Sequence, residues 1–437
     1  MDTMYFINSV FGLLFLICYA YQLVYILITL VKKRRPHKAK EITYHNFAVM
    51  ISARNEETVI AELISSIKNQ TYPTDKVTVF VVADNCTDST AQIARNAGAV
   101  VYERNDNVKV GKGYALDFLL KHIDEDYERD AFDAFFVFDA DNILDPTYIE
   151  EMNKTYCDGY KALTSYRNSK NFGDNWISAG YALWFLRESK YLNNSRMILG
   201  SSCAISGTGF MIDRSFLEDE NGKKGWHYFL LTEDIEFTTS SIVDGKIIGY
   251  CGDAVLYDEQ PVKFRQSWDQ RMRWAKGYLQ VFKNYGSGLI RGMRRYNRND
   301  NKEKVKRRKA SRFSCFDMTM TIMPAMILSG VLFVMDIILG LILLIVHNDV
   351  HNGITMLTLP IIDASVLTFF IGLITTITEW KQIHTSTPKK ILYTFTFPLF
   401  MLTYIPIALV AVFSKQVEWK PIKHTKKVKL EDIHAKR

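Results

Sequence analysis

Four long apolar stretches most constrain the fold of this chain of 437 residues, because each is long enough to cross a bilayer. They lie at residues 5–31, 318–346, 354–377 and 391–413. A helix crosses the hydrocarbon core with about 20 apolar residues. The apolar share of the whole chain, 48%, is ordinary. Its concentration near both ends predicts α-helical membrane segments around a soluble middle.

Charges beside the first stretch predict its orientation. Asp2 precedes the stretch, whereas the four residues at 32–35 are all Lys or Arg. Basic residues collect on the cytoplasmic side of a membrane helix, so the amino end should lie outside and the following domain inside. We therefore predict a multi-pass protein of the cell membrane whose middle domain is cytoplasmic.

The last apolar stretch contains Pro398 and Pro406, neither of which can donate a helical hydrogen bond. The lysines between residues 381 and 390 suit a cytoplasmic loop, whereas a full crossing would place the basic tail at 415–429 outside. A broken or re-entrant segment would remove this conflict, and such a segment is tolerated where it is buried in protein. The sequence alone leaves the side of the tail open.

The net charge of +7 comes from one basic run. Residues 291–312 hold eleven Lys or Arg and two acidic residues, a local +9, so the rest of the chain carries 7 − 9 = −2. The run precedes an apolar stretch, where anionic lipid headgroups attract basic residues. We therefore predict membrane lipids, and no nucleic acid, as partners. The six cysteines show no CxxC spacing, which argues against a zinc site.

Between residues 47 and 251, short β-branched and aromatic runs alternate with amphipathic segments, a pattern typical of an α/β domain with a mostly parallel sheet. We predict strands at 47–51, 77–83, 100–102, 135–138 and 162–165. Polar side chains follow three of them, namely Arg54 with Glu56, Asp84, and Asp139 with Asp141. Because ligands of open α/β sheets bind at the carboxyl ends of the strands, these groups should share one crevice.

Asp139 and Asp141 leave the predicted sheet one residue apart. Two such carboxylates suit Mg²⁺ or Mn²⁺, which would bridge to phosphate oxygens and neutralise a departing diphosphate. A DxD triplet taken alone is more often a solvated turn.

Two further motifs carry reactive groups. Asp234, in the triplet 232–234, opens a helix-like segment and could accept a proton from a hydroxyl group. Acidic residues in a first turn also simply stabilise a helix. Lys112 lies between two glycines, which suggests a flexible loop that reaches a diphosphate, although the spacing is not that of a Walker A loop.

Residues 270–274 read Gln-Arg-Met-Arg-Trp on a predicted interfacial helix. Arg273 could clamp diphosphate charge, and Trp274 could stack on a sugar ring. The same residues suit an amphipathic helix anchored at the lipid headgroups, and both interpretations can hold together.

Taken in order, these motifs closely resemble the family 2 glycosyltransferases, and in particular the membrane branch of cellulose, hyaluronan, chitin and poly-N-acetylglucosamine synthases. The resemblance covers residues 47–274. It implies a GT-A fold, a UDP-sugar donor, and inversion at the anomeric carbon to give a β-linked product.

The resemblance also implies roles for single residues. Asp234 would be the general base, and Asp139 and Asp141 would hold Mg²⁺ or Mn²⁺. The implied nucleotide-sugar residues are Ala53, Arg54, Glu56, Asp84, Lys112 and Asp139, and the implied acceptor and diphosphate residues are Glu233, Gln270, Arg273 and Trp274. Residues 206–210 match an acceptor-binding segment, and residues 418–421 match a nucleotide-gating segment more weakly.

Three hypotheses follow. The first is a processive synthase of a β-linked polysaccharide, which would work with export or regulatory subunits. The second is transfer of a single sugar to a lipid, favoured by the few membrane segments. The third, a non-catalytic relative, is disfavoured because all the acids that the chemistry needs are present.

The chain accordingly divides into five parts. These are an N-terminal membrane helix with its basic flank (1–35), a catalytic domain (45–260), an interfacial helix with the basic run (261–312), a membrane region of about three segments (313–414) and a basic tail (415–437).

Overall fold

An eight-stranded sheet forms the centre of the computed structural model, which describes residues 2–32, 41–217, 225–294, 302–415, 417, 424 and 426–435. The strands are β1 (Phe47–Ala53), β2 (Val77–Asp84), β3 (Val100–Arg104), β4 (Ala134–Asp139), β5 (Ile143–Leu144), β6 (Ala162–Ser169), β7 (Phe210–Asp213) and β8 (Gly249–Asp258). Their order across the sheet is β3-β2-β1-β4-β7-β6-β8-β5.

Six of the eight strands run in one direction. Strands β1 to β4 are mutually parallel, and β6 pairs in parallel with β8. Strand β7 runs antiparallel between β4 and β6, and β5 pairs antiparallel with β8 at the edge. The predicted α/β fold with a mostly parallel sheet is therefore confirmed.

All five predicted strands are present, and three others were missed. Strand β5 has only two residues, and β7 has four that follow two glycines with positive φ, Gly207 and Gly209. In β8 the apolar pattern is broken by Gly252 and Asp253, where the pairing with β6 shifts register. Strands so short or irregular lack the apolar run on which the sequence prediction depends.

Sixteen helices lie in the described chain. They are α1 (Asp2–Tyr19), α2 (Tyr21–Val31), α3 (Ile60–Lys68), α4 (Thr90–Asn96), α5 (Lys112–Asp126), α6 (Tyr148–Cys157), α7 (Trp176–Arg187), α8 (Asn194–Leu199), α9 (Glu233–Val243), α10 (Phe264–Met293), α11 (Lys302–Ile322), α12 (Pro324–Ile345), α13 (Val350–Thr378), α14 (Thr387–Leu402), α15 (Tyr404–Phe413) and α16 (Leu430–His434). A π-helical turn, Glu188–Asn193, joins α7 to α8.

Apolar cores lie on both faces of the sheet, which is why its central strands read as continuous apolar runs. Helices α3 and α6 pack on one face and α5 and α7 on the other. Strands β1 and β4 are almost wholly buried between these layers. The layered core holds the carboxyl ends of the strands in fixed positions.

Four helical stretches are long and apolar enough to cross a membrane, namely Tyr5–Val31, Lys309–Ile345, Val350–Thr378 and Thr387–Phe413. They coincide with the four predicted apolar stretches. The last is broken at Thr403 between α14 and α15. Three predicted features, the basic flank at 33–35, residues 295–301 of the basic run, and residues 418–421, lie outside the described residues.

A buried polar cluster joins helices of the first two long apolar stretches to the sheet domain. Asp317 of α11 accepts hydrogen bonds from Tyr21 at 2.8 Å and Tyr25 at 2.9 Å, both on α2, and pairs with Arg196 of α8 at 2.6 Å. A buried charge is tolerated when it is paired and hydrogen-bonded in this way. The cluster therefore fixes α2 and α11 to the domain.

Candidate active site

The carboxyl ends of β1, β2, β4 and β8 open into a cleft. The cleft is lined by Ser52, Arg54, Glu56, Asp84, Gly111, Lys112, Asp139, Ala140, Asp141, Arg167, Gly207, Leu231, Thr232, Glu233, Asp234, Asp258, Glu259, Gln270, Arg273, Trp274 and His424.

Two asparagines with left-handed backbone turn the chain at the ends of β1 and β2. The φ angle is 57° at Asn55 and 52° at Asn85, a region that asparagine tolerates better than most residues. The side-chain oxygen of Asn55 accepts a hydrogen bond from the amide of Thr87 at 2.8 Å, which ties the two turns together. Arg54 and Asp84 thus reach the same end of the cleft.

The carboxylate of Asp84 is buried and already partnered. Arg104 Nη1 donates to its Oδ1 at 2.5 Å. Burial raises the pKa of Asp84, and the Arg104 guanidinium opposes that shift. A ligand can therefore donate a hydrogen bond only to the acceptor positions of Asp84 that Arg104 leaves free.

Lys112 is the first residue of α5 and points across the cleft. Its Nζ lies 2.5 Å from Asp139 Oδ1 and 2.7 Å from the carbonyl oxygen of Gly207. Burial disfavours the ammonium, but the charges of Asp139 and Glu233 outweigh it and raise the pKa of Lys112. A permanent cation therefore stands beside the DxD carboxylates.

The two DxD carboxylates differ in their surroundings. Asp139 has a side chain 37% exposed, whereas Asp141 is buried and accepts the amide of Glu259 at 2.6 Å. Burial alone would raise the pKa of Asp141, but the charges of His424 and Lys170 and the Glu259 amide hold it below its usual range. Asp141 is thus ionised and oriented, and Asp139 faces the open cleft.

These carboxylates fit a hard divalent cation. Within the described ranges no group of three or more His, Cys, Asp or Glu forms a complete metal cage. Mg²⁺ is commonly held by one or two carboxylates together with the phosphates of a substrate. Asp139 and Asp141 supply such a partial donor set, and a diphosphate would supply the remaining oxygens.

The tail of the chain adds His424 to this end of the cleft. Its Nδ1 lies 2.9 Å from Glu56 Oε1. Burial would lower the pKa of His424, but the carboxylates of Asp141, Glu56 and Glu259 raise it to about 10. A second cation therefore faces the DxD carboxylates from a part of the sequence that local patterns did not single out.

Glu233 and Asp234 lie side by side in the first turn of α9 and line the same cleft. Burial raises the pKa of Asp234, against the backbone amide of Ile235 and the charge of Lys112. Burial and the charge of Asp234 raise the pKa of Glu233 to about 7. Carboxylates whose pKa values are raised by burial in a cleft are suited to exchange protons.

The structure does not support side-chain capping as the role of Thr232. Its side chain makes no cap hydrogen bond to α9, and its buried Oγ1 has no hydrogen-bond partner in the part of the chain that the structure describes. Gln270 Oε1 and Arg273 Nε are also buried without a hydrogen-bond partner among the described residues. Buried polar atoms are nearly always paired, so these three atoms in one cleft mark where a polar ligand fits.

Helix α10 holds Trp274 in the cleft by aromatic contacts. Its ring meets Tyr181 at 5.7 Å and Phe185 at 6.1 Å, both edge to face. Such contacts contribute about 0.5–1.5 kcal/mol each beyond area burial. The indole therefore stands in one orientation at the same wall as Gln270 and Arg273.

Arg271, within the same motif, faces away from the cleft. Its side chain is fully buried, and its Nη1 donates to Thr403 Oγ1 at 2.7 Å and to the carbonyl oxygen of Phe400 at 3.3 Å. Its guanidinium also lies 4.7 Å from the ring centroid of Tyr404. Arg271 thus fastens α10 to the break between α14 and α15.

We expect Arg271→Met to lower the free energy of unfolding by about 1–3 kcal/mol, because it removes the two buried hydrogen bonds to Thr403 Oγ1 and to the Phe400 carbonyl while keeping the apolar contacts of the side chain. Thermal unfolding of the detergent-solubilised protein measures the effect. Arg265→Met, at an exposed position of the same helix, is the matched control and should change little. Equal stability of the two variants would contradict this role of Arg271.

Eleven of the twelve predicted site residues line the cleft. The exception is Ala53, the last residue of β1, whose side chain is buried in the core.

The sequence prediction missed three residues that line the cleft, namely Arg167, Asp258 and His424. Arg167 pairs with Asp258 at 2.6 Å, and Asp258 ends β8, a strand whose irregular pattern hid it. The roles of all these residues stay predictions.

The raised pKa of Asp234 predicts a loss of activity on the acid side. A carboxylate base acts only when it is unprotonated, so kcat/KM should fall about tenfold per pH unit as the pH drops, and this fall should begin at a higher pH than an exposed aspartate would give. The measurement is kcat/KM from pH 5 to 9 at constant metal concentration. Thermal unfolding at each pH separates this loss from denaturation, and a flat profile down to pH 5 would contradict the prediction.

The comparisons with known proteins agree with this geometry. The model of the family described as Glycosyltransferase like family 2 matches residues 45–277. The chain is 26% identical over 253 residues to "Probable glycosyltransferase YdaM" of Bacillus subtilis, which covers 53% of this chain and 54% of that protein. It is 26% identical over 301 residues to "Beta-monoglucosyldiacylglycerol synthase" of Nostoc sp., which covers 67% and 59%. The chain thus spans little more than half the length of these relatives.

A solved structure extends the likeness to the fold. The mannosyltransferase PcManGT from Pyrobaculum calidifontis, in complex with GDP-Man and Mn²⁺, matches with a TM-score of 0.51 at 14% identity, over 94% of this chain and 99% of that one. At this identity the likeness concerns the fold alone. The family match covers more than half of the chain and contains all twelve predicted site residues, so the chain belongs to the family 2 glycosyltransferases.

Proposed function

We propose that this glycosyltransferase moves a single sugar from a nucleoside-diphosphate sugar, a UDP-sugar by the resemblance, to a lipid acceptor at the membrane surface. One observation carries the proposal. Helix α10 presents Gln270, Arg273 and Trp274 to the cleft, while its Met272 and Ala275 pack against the apolar helix α15. A lipid in the bilayer is therefore about one helix diameter, roughly 10 Å, from the cleft.

The relatives support a lipid acceptor over a polymer. Two of them carry the name "Beta-monoglucosyldiacylglycerol synthase", from Synechocystis sp. and Nostoc sp.. The synthases of long polymers that the motifs resemble have more membrane segments than the four candidate segments in the described residues of this chain. Processive synthesis with export or regulatory subunits is therefore the second candidate, and the size of the product separates the two.

In the proposed mechanism the donor diphosphate lies beside Asp139 and Lys112. Mg²⁺ or Mn²⁺ held by Asp139 and Asp141 would neutralise phosphate charge. Lys112 and Arg273 bind the diphosphate oxygens, Gln270 Oε1 accepts a hydrogen bond from a sugar hydroxyl, and Thr232 Oγ1 hydrogen-bonds the sugar or the diphosphate. These groups hold the anomeric carbon in front of Asp234.

Asp234 takes the proton of the acceptor hydroxyl as its oxygen attacks the anomeric carbon. The bond between that carbon and the diphosphate oxygen breaks at the opposite side, and the nucleoside diphosphate leaves with both electrons. One such displacement inverts the anomeric centre and turns an α-linked donor into a β-linked product. The buried site favours a carboxylate base because its raised pKa lets it hold the proton.

The test is transfer of radiolabel by the solubilised protein from a panel of UDP- and GDP-sugars, with Mg²⁺ or Mn²⁺, to vesicles that contain diacylglycerol. We expect label in the organic phase on a product with one sugar. Long water-soluble product would support the processive candidate instead. Release of nucleotide without any labelled lipid or polymer would overturn lipid transfer.

We also propose that the catalytic domain lies on the cytoplasmic side of the cell membrane. The basic residues at 32–35, which follow the first apolar stretch, support this orientation. Nucleotide sugars are cytoplasmic substrates, so the cleft would then face its donor.

A further inference from the structure

The fourth apolar stretch, Thr387–Phe413, touches the catalytic domain at both ends. Near its start, Lys389 Nζ donates to the carbonyl oxygen of Gly173 at 2.7 Å. Near its end, the carbonyl oxygen of Ala411 accepts from Lys276 Nζ of α10 at 3.3 Å. A straight helix of 27 residues is about 40 Å long, so a crossing segment would carry one end to the far side of the bilayer.

The break in the middle of the stretch also lies on the catalytic domain. The ring of Phe400 packs against Gly180 of α7, where any larger side chain would collide with it. The proline at 406 has no N–H group to continue the helical bonds across Thr403. Arg271 supplies a donor to the Phe400 carbonyl, so the irregular backbone is satisfied by protein, as a membrane requires.

Contacts with α13 show which part of that helix lies beside the fourth apolar stretch. Thr394 and Thr376 hydroxyls lie 2.7 Å apart, and the rings of Phe395 and Phe369 have centroids 5.0 Å apart. Both partners lie in the part of α13 that ends at Thr378, beside the domain. Helix α14 therefore pairs with the near part of α13, and α15 returns along α10.

The tail after α15 lies on the catalytic domain. His424 reaches Glu56 in the cleft, and the amide of Lys426 donates to Glu259 Oε2 at 3.1 Å. Ile433 of α16 is fully buried in the core of the domain. The tail and the catalytic cleft must therefore lie on the same side of the membrane.

The number of membrane crossings also places the tail and the cleft on the same side. Helix α12 leaves the domain and α13 returns to it, where Glu379 accepts a hydrogen bond from Tyr166 and pairs with Lys190 at 2.8 Å. Two crossings bring the chain back, and a third would separate the tail from the cleft. We propose that Thr387–Phe413 does not cross the bilayer but enters and leaves the leaflet on the side of the catalytic domain, so that α1, α12 and α13 are the crossing helices.

The outward face of this re-entrant segment fits the acyl chains of that leaflet. From residue 391 onward its exposed residues are apolar, with Ile391 at 50%, Phe395 at 64% and Leu399 at 52% exposure. Its opposite face is covered by α7 of the domain and by α13. Since no charged residue lies between 391 and 413, hydrocarbon is the partner that this face suits.

The test uses three full-length variants, each with one short epitope. One epitope stands at the C-terminus, one in the exposed loop at 128–130 of the catalytic domain, and one in the turn at 347–349 between α12 and α13. Protease and antibody access is compared in intact cells and in inverted membrane vesicles. We expect the first two epitopes to be accessible in the same preparation and the third in the other.

Accessibility of the C-terminal and 128–130 epitopes in opposite preparations would overturn the proposal. Accessibility of the turn epitope together with the other two would overturn the crossing of α12 and α13. Nucleotide release by each tagged protein verifies that the domain is folded. The topology does not depend on which donor or acceptor the enzyme uses.

Discussion

Asp234→Asn is expected to lower kcat by about 10²–10⁴-fold, the range for a positioned general base, while the affinity for nucleotide stays nearly unchanged. The asparagine keeps the shape of the side chain in the first turn of α9 but cannot accept the proton of the acceptor hydroxyl. The measurements are kcat by nucleotide release with saturating donor and acceptor, and nucleotide affinity by titration calorimetry.

Glu236→Gln is the matched control. Glu236 lies on the same helix, but its carboxylate accepts the amide of Leu230 at 2.9 Å and the hydroxyl of Tyr285 at 3.1 Å rather than lining the cleft. We expect a small effect on kcat and a modest loss of stability. If both variants lost activity to the same extent, the effect would reflect damage to α9 and Asp234 would not be the base.

Asp139→Asn combined with Asp141→Asn is expected to remove metal-dependent binding of the nucleotide and to lower kcat/KM by about 10²-fold or more, because a bound metal contributes several kcal/mol of charge stabilisation. Amide oxygens bind Mg²⁺ and Mn²⁺ far more weakly than carboxylates do. Binding of Mn²⁺, followed by electron paramagnetic resonance with and without UDP, gives a readout independent of turnover.

Asp117→Asn controls for the loss of charge. Asp117 is on α5 and pairs with Lys121 at 2.7 Å, outside the cleft. This variant should bind Mn²⁺ as the unaltered protein does. Unchanged Mn²⁺ binding in the double DxD variant would show that the metal is held elsewhere or is not used.

Much of the site could be predicted because its groups follow strands with a strong local pattern. Strands β1, β2 and β4 are continuous apolar runs, and each is followed at once by polar residues. The parallel arrangement then brings those residues to one edge, whatever the loops do. This is why Arg54, Asp84 and Asp139 were found together from the sequence.

Groups that reach the cleft from distant or irregular segments could not be predicted. His424 meets Glu56 across 368 positions of sequence, and its neighbours form no motif. Arg271 stands within the predicted motif, yet its side chain faces the helix break, because α10 presents different faces to the cleft and to α15. Only the packing of these helices decides which residues of the motif meet a ligand.

The sequence by itself indicated the family through its ordered motifs, and it indicated the mostly parallel sheet and the four apolar helical stretches through local periodicity and hydropathy. The tertiary structure decided how the last stretch is placed. Thr387–Phe413 has the length and hydropathy of a crossing helix. Its contacts with α7 and α10, and the return of the tail to the cleft, place both of its ends beside the catalytic domain. Hydropathy reports how much a segment favours hydrocarbon, whereas the side on which it emerges depends on contacts between residues far apart in the chain.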